Sequence, residues 1–173
     1  MRPVLFGPGL FFRIGITYVK EEGDLTMSEN NSRTFDLITL GQLLLRLSPP
    51  NNERLMRCDT FEKQVGGAEL NVAVGVSLLG LHTGIISKLP SHDVGSFMKG
   101  KIRSYGVSDD FFIYDKSPSA RVGIYYYENG AYPRKPKVIY DRANTSFYSL
   151  KIDEIAEEVY SATKCFHTSG ITL

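Results

Sequence analysis

The 173-residue sequence has no tryptophan, two cysteines, three histidines and almost no charge imbalance, with 20 Lys and Arg against 19 Asp and Glu. Each shortage excludes something. Charge near neutrality argues against a nucleic-acid binder, which needs a basic excess gathered on one face. Cys58 and Cys165 stand far apart with no CxxC or Cys/His spacing. They read as free thiols of a reducing, cytoplasmic compartment, and no structural zinc or other metal site is expected. Residues 4–19 are apolar but broken by Gly7, Pro8, Gly9, Arg13 and Gly15, whereas a membrane-spanning helix needs about 20 apolar residues in a row. The same stretch follows Arg2 as in a signal peptide, yet Tyr18-Val19-Lys20-Glu21-Glu22 offers no small-residue cleavage pattern. No internal repeat and no low-complexity segment is present.

What is there fits one soluble domain. The composition, 42% hydrophobic, 12% aromatic and 23% charged, excludes a disordered chain, a collagen-like repeat and a disulfide scaffold. Residues 1–34 do not match the rest. Met27 opens a polar run that leads into a strand, and Lys20-Glu21-Glu22-Gly23 can be encoded by purine-rich codons like those ahead of a bacterial start. Residues 1–34 are therefore expected to be an unstructured or spurious extension, and residues 35–173 to carry the fold.

Phe35-Asp36-Leu37-Ile38-Thr39-Leu40-Gly41 is a short apolar run ending in Gly, the mark of a buried strand. Residues 43–47 continue extended to Pro49-Pro50, and 59–65 read as a further strand. Gly66-Gly67 opens a segment apolar on nearly all faces that closes on Gly80, which predicts a buried helix with a Gly cap. Strands are predicted at 83–87 and 110–114, with a helix at 94–105 between them. That alternation gives an α/β fold with parallel strands. Residues 120–128 and 137–142 are rich in Tyr, Val and Ile and predict an antiparallel pair. With 43–47 and 59–65 they would form a small separate sheet. A last helix is predicted at 152–161, before a strand at 164–168.

Two phosphate-binding patterns are missing: GxxxxGK[ST], and a GxGxxG after the first strand. His82, His92 and His167 are scattered and read as packing or surface residues. The informative run is Gly66-Gly67-Ala68-Glu69-Leu70-Asn71. Two glycines before a helix let a ligand approach the backbone, and the free N–H groups of the first turn favour an oxygen ligand. Asn71 offers both a donor and an acceptor, which suits a sugar hydroxyl. A plain tight turn, with Asn71 satisfied by backbone, fits the same residues. The second run is Val138-Ile139-Tyr140-Asp141-Arg142. In a strand Tyr140 and Arg142 share a face, and a phenol beside a guanidinium can clamp a carboxylate. An edge-strand Arg in solvent fits equally. Tyr125 on the partner strand could add a stacking face, while Tyr126 and Tyr127 read as strand formers.

The run from Gly66 to Gly80, continued by Lys88-Leu89-Pro90 and Asp93-Val94-Gly95, resembles the N-terminal signature of ribokinase-like (PfkB) sugar kinases. Gly67-Ala68-Glu69-Leu70-Asn71, Lys137-Val138-Ile139-Tyr140-Asp141-Arg142 and Phe166-His167-Thr168-Ser169-Gly170-Ile171-Thr172 are most similar to the 2-keto-3-deoxygluconate kinases within it. The resemblance runs from Phe35 to the end. It implies a three-layer α/β/α core with a small β-sheet lid. It further implies a sugar-acid substrate held by Gly67, Ala68, Glu69, Leu70, Asn71, Tyr125, Tyr140, Asp141 and Arg142, with the helix head and Arg142 facing its carboxylate and keto end.

The sequence also departs from that family. Gln42 stands where an acidic residue commonly follows the glycine, and an amide cannot take a proton. Lys88-Leu89-Pro90 replaces a Gly-containing turn of other branches. The family's Gly-Ala-Gly-Asp motif, which serves the nucleotide and supplies the general base, does not occur in these residues. The expectation is the sugar-binding part of a kinase cut off before its nucleotide-binding half. ATP and Mg2+ would serve the full-length enzyme, and neither would bind this part alone, which would be inactive. Fructokinase or another sugar kinase is the enzymatic alternative. A sugar-acid-binding module, or a homo-oligomer formed through the lid, is the non-catalytic one.

Overall fold

Nine short strands and three helices are built from residues 34–170, which the computed structural model describes. The expectations for the N-terminal extension therefore lie outside the described residues, apart from Thr34. In chain order the strands are β1 (Phe35–Leu40), β2 (Leu44–Ser48), β3 (Glu62–Gly66), β4 (Thr83–Pro90), β5 (Val107–Ser108), β6 (Phe112–Asp115), β7 (Gly123–Glu128), β8 (Lys137–Asp141) and β9 (Thr163–His167). The helices are α1 (Ala68–Leu78), α2 (Asp93–Ser104) and α3 (Glu158–Ser161).

The strands form two sheets. One is parallel, in the order β5-β4-β1-β9, with β6 also paired to β4. Its central strands are buried on both faces, which is why they read as continuous apolar runs. Ile85 and Leu89 pack with Leu70, Ala73, Met98 and Ile102 beneath α1 and α2. Ile38 and Ile86 point the other way, onto Ile155 and Val159. Each such side chain contributes about 1.5–3 kcal/mol by leaving water. The result is the α/β/α layering expected.

The other sheet has the order β3-β2-β7-β8, with β2 and β7 parallel and both outer pairs antiparallel. It unites the four segments that the sequence set apart. Leu45, Leu47, Val65 and Ile124 pack one of its faces onto the main core beside Phe97 of α2. Strand alternation sends Arg46, Tyr125, Tyr127 and Tyr140 to the opposite face.

Helix α2 is capped by the sequence's own signals. The His92 ring accepts from the Val94 N–H at 3.2 Å, and Lys101 and Arg103 occupy the last turn, where positive charge suits the helix field. Gly106 follows at φ +76, the left-handed residue that ends the helix. His82 stacks on Phe35 with ring centroids 4.2 Å apart. Both histidines are structural.

Three expectations are corrected. Helix α1 is not buried all round: Glu69, Leu70 and Ala73 are its buried residues, while Leu78 and the adjoining Leu79 are each 79% exposed. A uniformly apolar helix has no preferred face; the sheet covers one side, and nothing among the described residues covers the other. The helix expected at 152–161 is broken into a 3-10 turn at Ile152–Glu154 and the short α3, with Ile155 extended between them. The turn closes on Glu154, whose carboxylate accepts from the Lys151 N–H at 2.8 Å and from Lys88 Nζ at 2.7 Å. Those ties replace the next helical bonds. The strand expected at 110–114 starts later, as β6 at Phe112, and the two-residue β5 precedes it as a separate strand; both pair with β4.

Candidate functional site

The head of α1 lies at the C-terminal end of β1, where open α/β sheets gather their ligands. Its first helical bond runs from the Asn71 N–H to the Gly67 carbonyl at 3.0 Å. The N–H groups of Ala68, Glu69 and Leu70 precede that bond and have no helical acceptor. Gly67 is needed because a Cβ there would sit 2.8 Å from the Gln42 carbonyl oxygen. Gly66 is needed because a Cβ would sit 2.7 Å from the Tyr125 hydroxyl. The two glycines thus let the head of α1 close onto both the end of β1 and the lid.

On the lid, Tyr125 and Tyr140 are paired residues of β7 and β8 whose ring centroids lie 5.9 Å apart. Burial holds the Tyr125 phenol above its ordinary range, with the Arg46 guanidinium pulling the other way. Its hydroxyl therefore stays a neutral donor. Arg142 follows β8, and a Cβ added to Gly123 at the start of β7 would lie 3.2 Å from the Arg142 Cβ. Arg142 is half-buried and makes no hydrogen bond or ion pair among the described residues. The fold brings Tyr125, Tyr140 and Arg142 of the lid together with the glycines at the head of α1.

Gln42 joins them, and it was not among the predicted ligands, although its departure from an acidic residue was a signal. It is 7% exposed, its Nε2 donates to Thr145 Oγ1 at 2.8 Å, and its Oε1 has no partner among the described residues. That bond reaches the segment by which the lid returns to the core. Ser146 and Arg121 close the same hinge with two bonds, Ser146 N–H to the Arg121 carbonyl at 2.9 Å and Arg121 N–H to Ser146 Oγ at 3.1 Å. No local pattern pointed to Thr145 or Arg121, because their partners are remote in sequence.

Several predicted residues stand differently from the rest. Asp141 alternates to the face opposite Tyr140 and pairs with Arg121 at 2.8 Å. Leu70 is 1% exposed inside the main core, so only its backbone faces the site. Glu69 is 2% exposed, and its Oε1 accepts from Ser169 in the loop after β9. Asn71 is exposed at the helix head, with a side chain that makes no hydrogen bond among the described residues.

What gathers here is the Arg142 guanidinium, without a partner among the described residues, with two phenols and the backbone N–H groups of a helix's first turn. Groups of these kinds can bond the carboxylate and hydroxyls of a small molecule. Among the described residues no three His, Cys, Asp or Glu side chains converge, and the sequence holds neither GxxxxGK[ST] nor a GxGxxG after its first strand.

Comparison with known proteins gives the same direction. The sequence profile described as "pfkB family carbohydrate kinase" matches residues 34–173. The chain is 40% identical over 139 residues to the 2-dehydro-3-deoxygalactonokinase of Haloferax volcanii, covering 80% of this chain and 43% of that protein. It is 29% identical over 150 residues to the 5-dehydro-2-deoxygluconokinase of Listeria innocua, covering 86% and 46%. The crystal structure of 2-dehydro-3-deoxygluconokinase from Thermotoga maritima superposes with a TM-score of 0.75 at 37% identity, over 80% of this chain and 42% of that one. The chain thus spans less than half the length of the curated relatives it matches.

Proposed function

This chain belongs to the pfkB family of carbohydrate kinases, and we propose that it forms the sugar-binding part of a kinase for a 2-keto-3-deoxy sugar acid. The whole enzyme would transfer phosphate from ATP to the terminal hydroxyl of 2-keto-3-deoxygluconate or of its C4 epimer, 2-keto-3-deoxygalactonate. ATP supplies the phosphoryl group. The residues of this chain bind and orient the acceptor.

The observation that carries the reading is Arg142, a half-buried guanidinium with no partner among the described residues, beside Tyr140 and the Tyr125 ring. A guanidinium taken from water without a counter-ion is costly, and a carboxylate taken in two parallel bonds offsets that cost. Tyr125 and Asn71 then supply neutral donors and an acceptor for hydroxyls. The Haloferax and Thermotoga relatives carry names of 2-dehydro-3-deoxy sugar acid kinases, which is the same substrate class.

Calorimetric titration of the chain with 2-keto-3-deoxygluconate, 2-keto-3-deoxygalactonate, fructose and ribose tests the proposal. Binding of one or both acids, and of neither neutral sugar, is the expected result. Preference for fructose or ribose would replace it with the reading as a neutral-sugar kinase. No heat with any of the four would remove the sugar-acid site from this chain.

A further inference from the structure

Glu69 is a carboxylate in the first turn of α1 that is only 2% exposed. Its Oε1 accepts from the Ser169 N–H at 3.1 Å and from Ser169 Oγ at 2.5 Å, across 100 residues of sequence. The rest of the carboxyl group lies directly over Gly41, where any Cβ would overlap it. One side chain therefore joins three segments: the end of β1, the head of α1 and the loop after β9. All three stand at the C-terminal edge of the parallel sheet, beside Gly67 and Gln42.

A buried carboxylate is tolerated where hydrogen bonds offset its lost hydration. In a first turn it also lies within the positive field of the helix head, which favours negative charge. That field is then directed to the protein's own anion and is less available to a ligand's. Arg142 is the cation at the other side of the site and makes no ion pair among the described residues.

We infer that Glu69 is a positioning residue and not a ligand. It fixes the Ser169 loop against the head of α1, and its charge gives the site a polarity, with the substrate's carboxylate at Arg142 and its hydroxyl end at the helix head. The ligand half of this inference rests on the sugar-acid reading; the tie between Glu69 and Ser169 does not. It also reverses the expectation that the helix head receives the carboxylate.

The experiment compares wild type, Glu69→Gln and Ser169→Ala. Hydrogen exchange is followed in the peptide carrying Ser169, and binding of 2-keto-3-deoxygluconate and of its uncharged methyl ester is measured by calorimetry. Glu69→Gln keeps the volume and removes the charge. It should speed exchange at Ser169 about tenfold or more, as expected when a bond to a charged acceptor is weakened. It should also raise the preference for acid over ester, because the helix field is released toward the ligand; a purely structural role would leave that ratio alone. Ser169→Ala keeps the charge, so exchange should rise while the ratio stays at the wild-type value. Unchanged exchange at Ser169 in both variants would overturn the inference, as would a Glu69→Gln ratio equal to or below wild type. If Glu69→Gln does not fold, exchange in Ser169→Ala decides the matter. A wild type that binds neither acid nor ester defeats the sugar-acid reading and the polarity with it, while the exchange result still decides the tie.

Discussion

Gln42 Nε2 donates to Thr145 Oγ1 across 2.8 Å, joining the end of β1 to the segment by which the lid returns to the core. Both residues are buried, at 7% and 4% exposure. Because Gln42 Oε1 has no partner among the described residues, the Gln42 amide meets this segment through one bond while its other polar atom makes none there.

That arrangement predicts a non-additive pair. Thr145→Val strands the Nε2 and should lower stability by about 1–3 kcal/mol, the cost of a buried unsatisfied donor. Adding Gln42→Leu removes the stranded donor and the unbonded Oε1 together, so the double variant should recover most of the loss. Urea denaturation of the four proteins of the cycle checks it. Losses that simply add would show that the hinge does not depend on this bond.

Arg142→Ala should separate binding from stability. The guanidinium makes no hydrogen bond or ion pair among the described residues, so the urea midpoint should move by no more than about 0.5 kcal/mol in equivalent stability. Affinity for the sugar acid should fall about tenfold to a hundredfold, the range for losing one bond to a charged partner. Arg142→Lys should restore little of it, since an ammonium cannot make the paired contact. Calorimetry and denaturation on the same samples give both numbers.

Gly41→Ala tests the crowding under Glu69. The added Cβ would overlap the Glu69 carboxyl group, and overpacking at a buried site costs about 1–3 kcal/mol. Because the side chain that must yield is the one tied to Ser169, exchange at Ser169 should rise with the loss of stability. Thermal unfolding with hydrogen exchange would show both changes, and a fully stable Gly41→Ala would contradict the close approach.

Acid should destabilise the fold in a traceable way. The Lys164 side chain holds the Asp36 carboxyl below its ordinary 3.8, and the Lys88 side chain holds Glu154 below its ordinary 4.5. The Ser117 backbone N–H does the same for Asp115. A carboxyl lowered in the folded state contributes stability that is complete above its unfolded value and lost as pH falls through the folded one. The urea midpoint should therefore decline once pH drops below about 4.5. Lys88→Met removes the largest cause at Glu154 and should make that decline shallower while lowering the midpoint at neutral pH.

Much of the fold and the site is legible in the residues alone. Period-2 alternation puts Tyr140 and Arg142 on one face, and turn glycines mark the head of α1. The four lid strands stand apart because their Tyr- and Val-rich runs break the alternation of strand and helix. The break at Ile155 is not legible, since it depends on Glu154 meeting Lys88, 66 residues earlier in the chain. Nor is the exposure of Leu78 and Leu79, because an evenly apolar helix does not reveal which of its sides has a neighbour.

The sequence by itself determined most of the elements, the family and the residue types available to the proposed sugar acid, since those follow from local periodicity and short motifs. Only the tertiary structure decided which of those residues are free. Asp141 pairs with Arg121, Glu69 turns inward to Ser169, and Gln42 reaches Thr145. Arg142 is left without a protein partner among the described residues. The physical reason is that a side chain's own element fixes its direction, while its partner comes from chain as much as 128 residues away, brought near by burial of the two apolar cores.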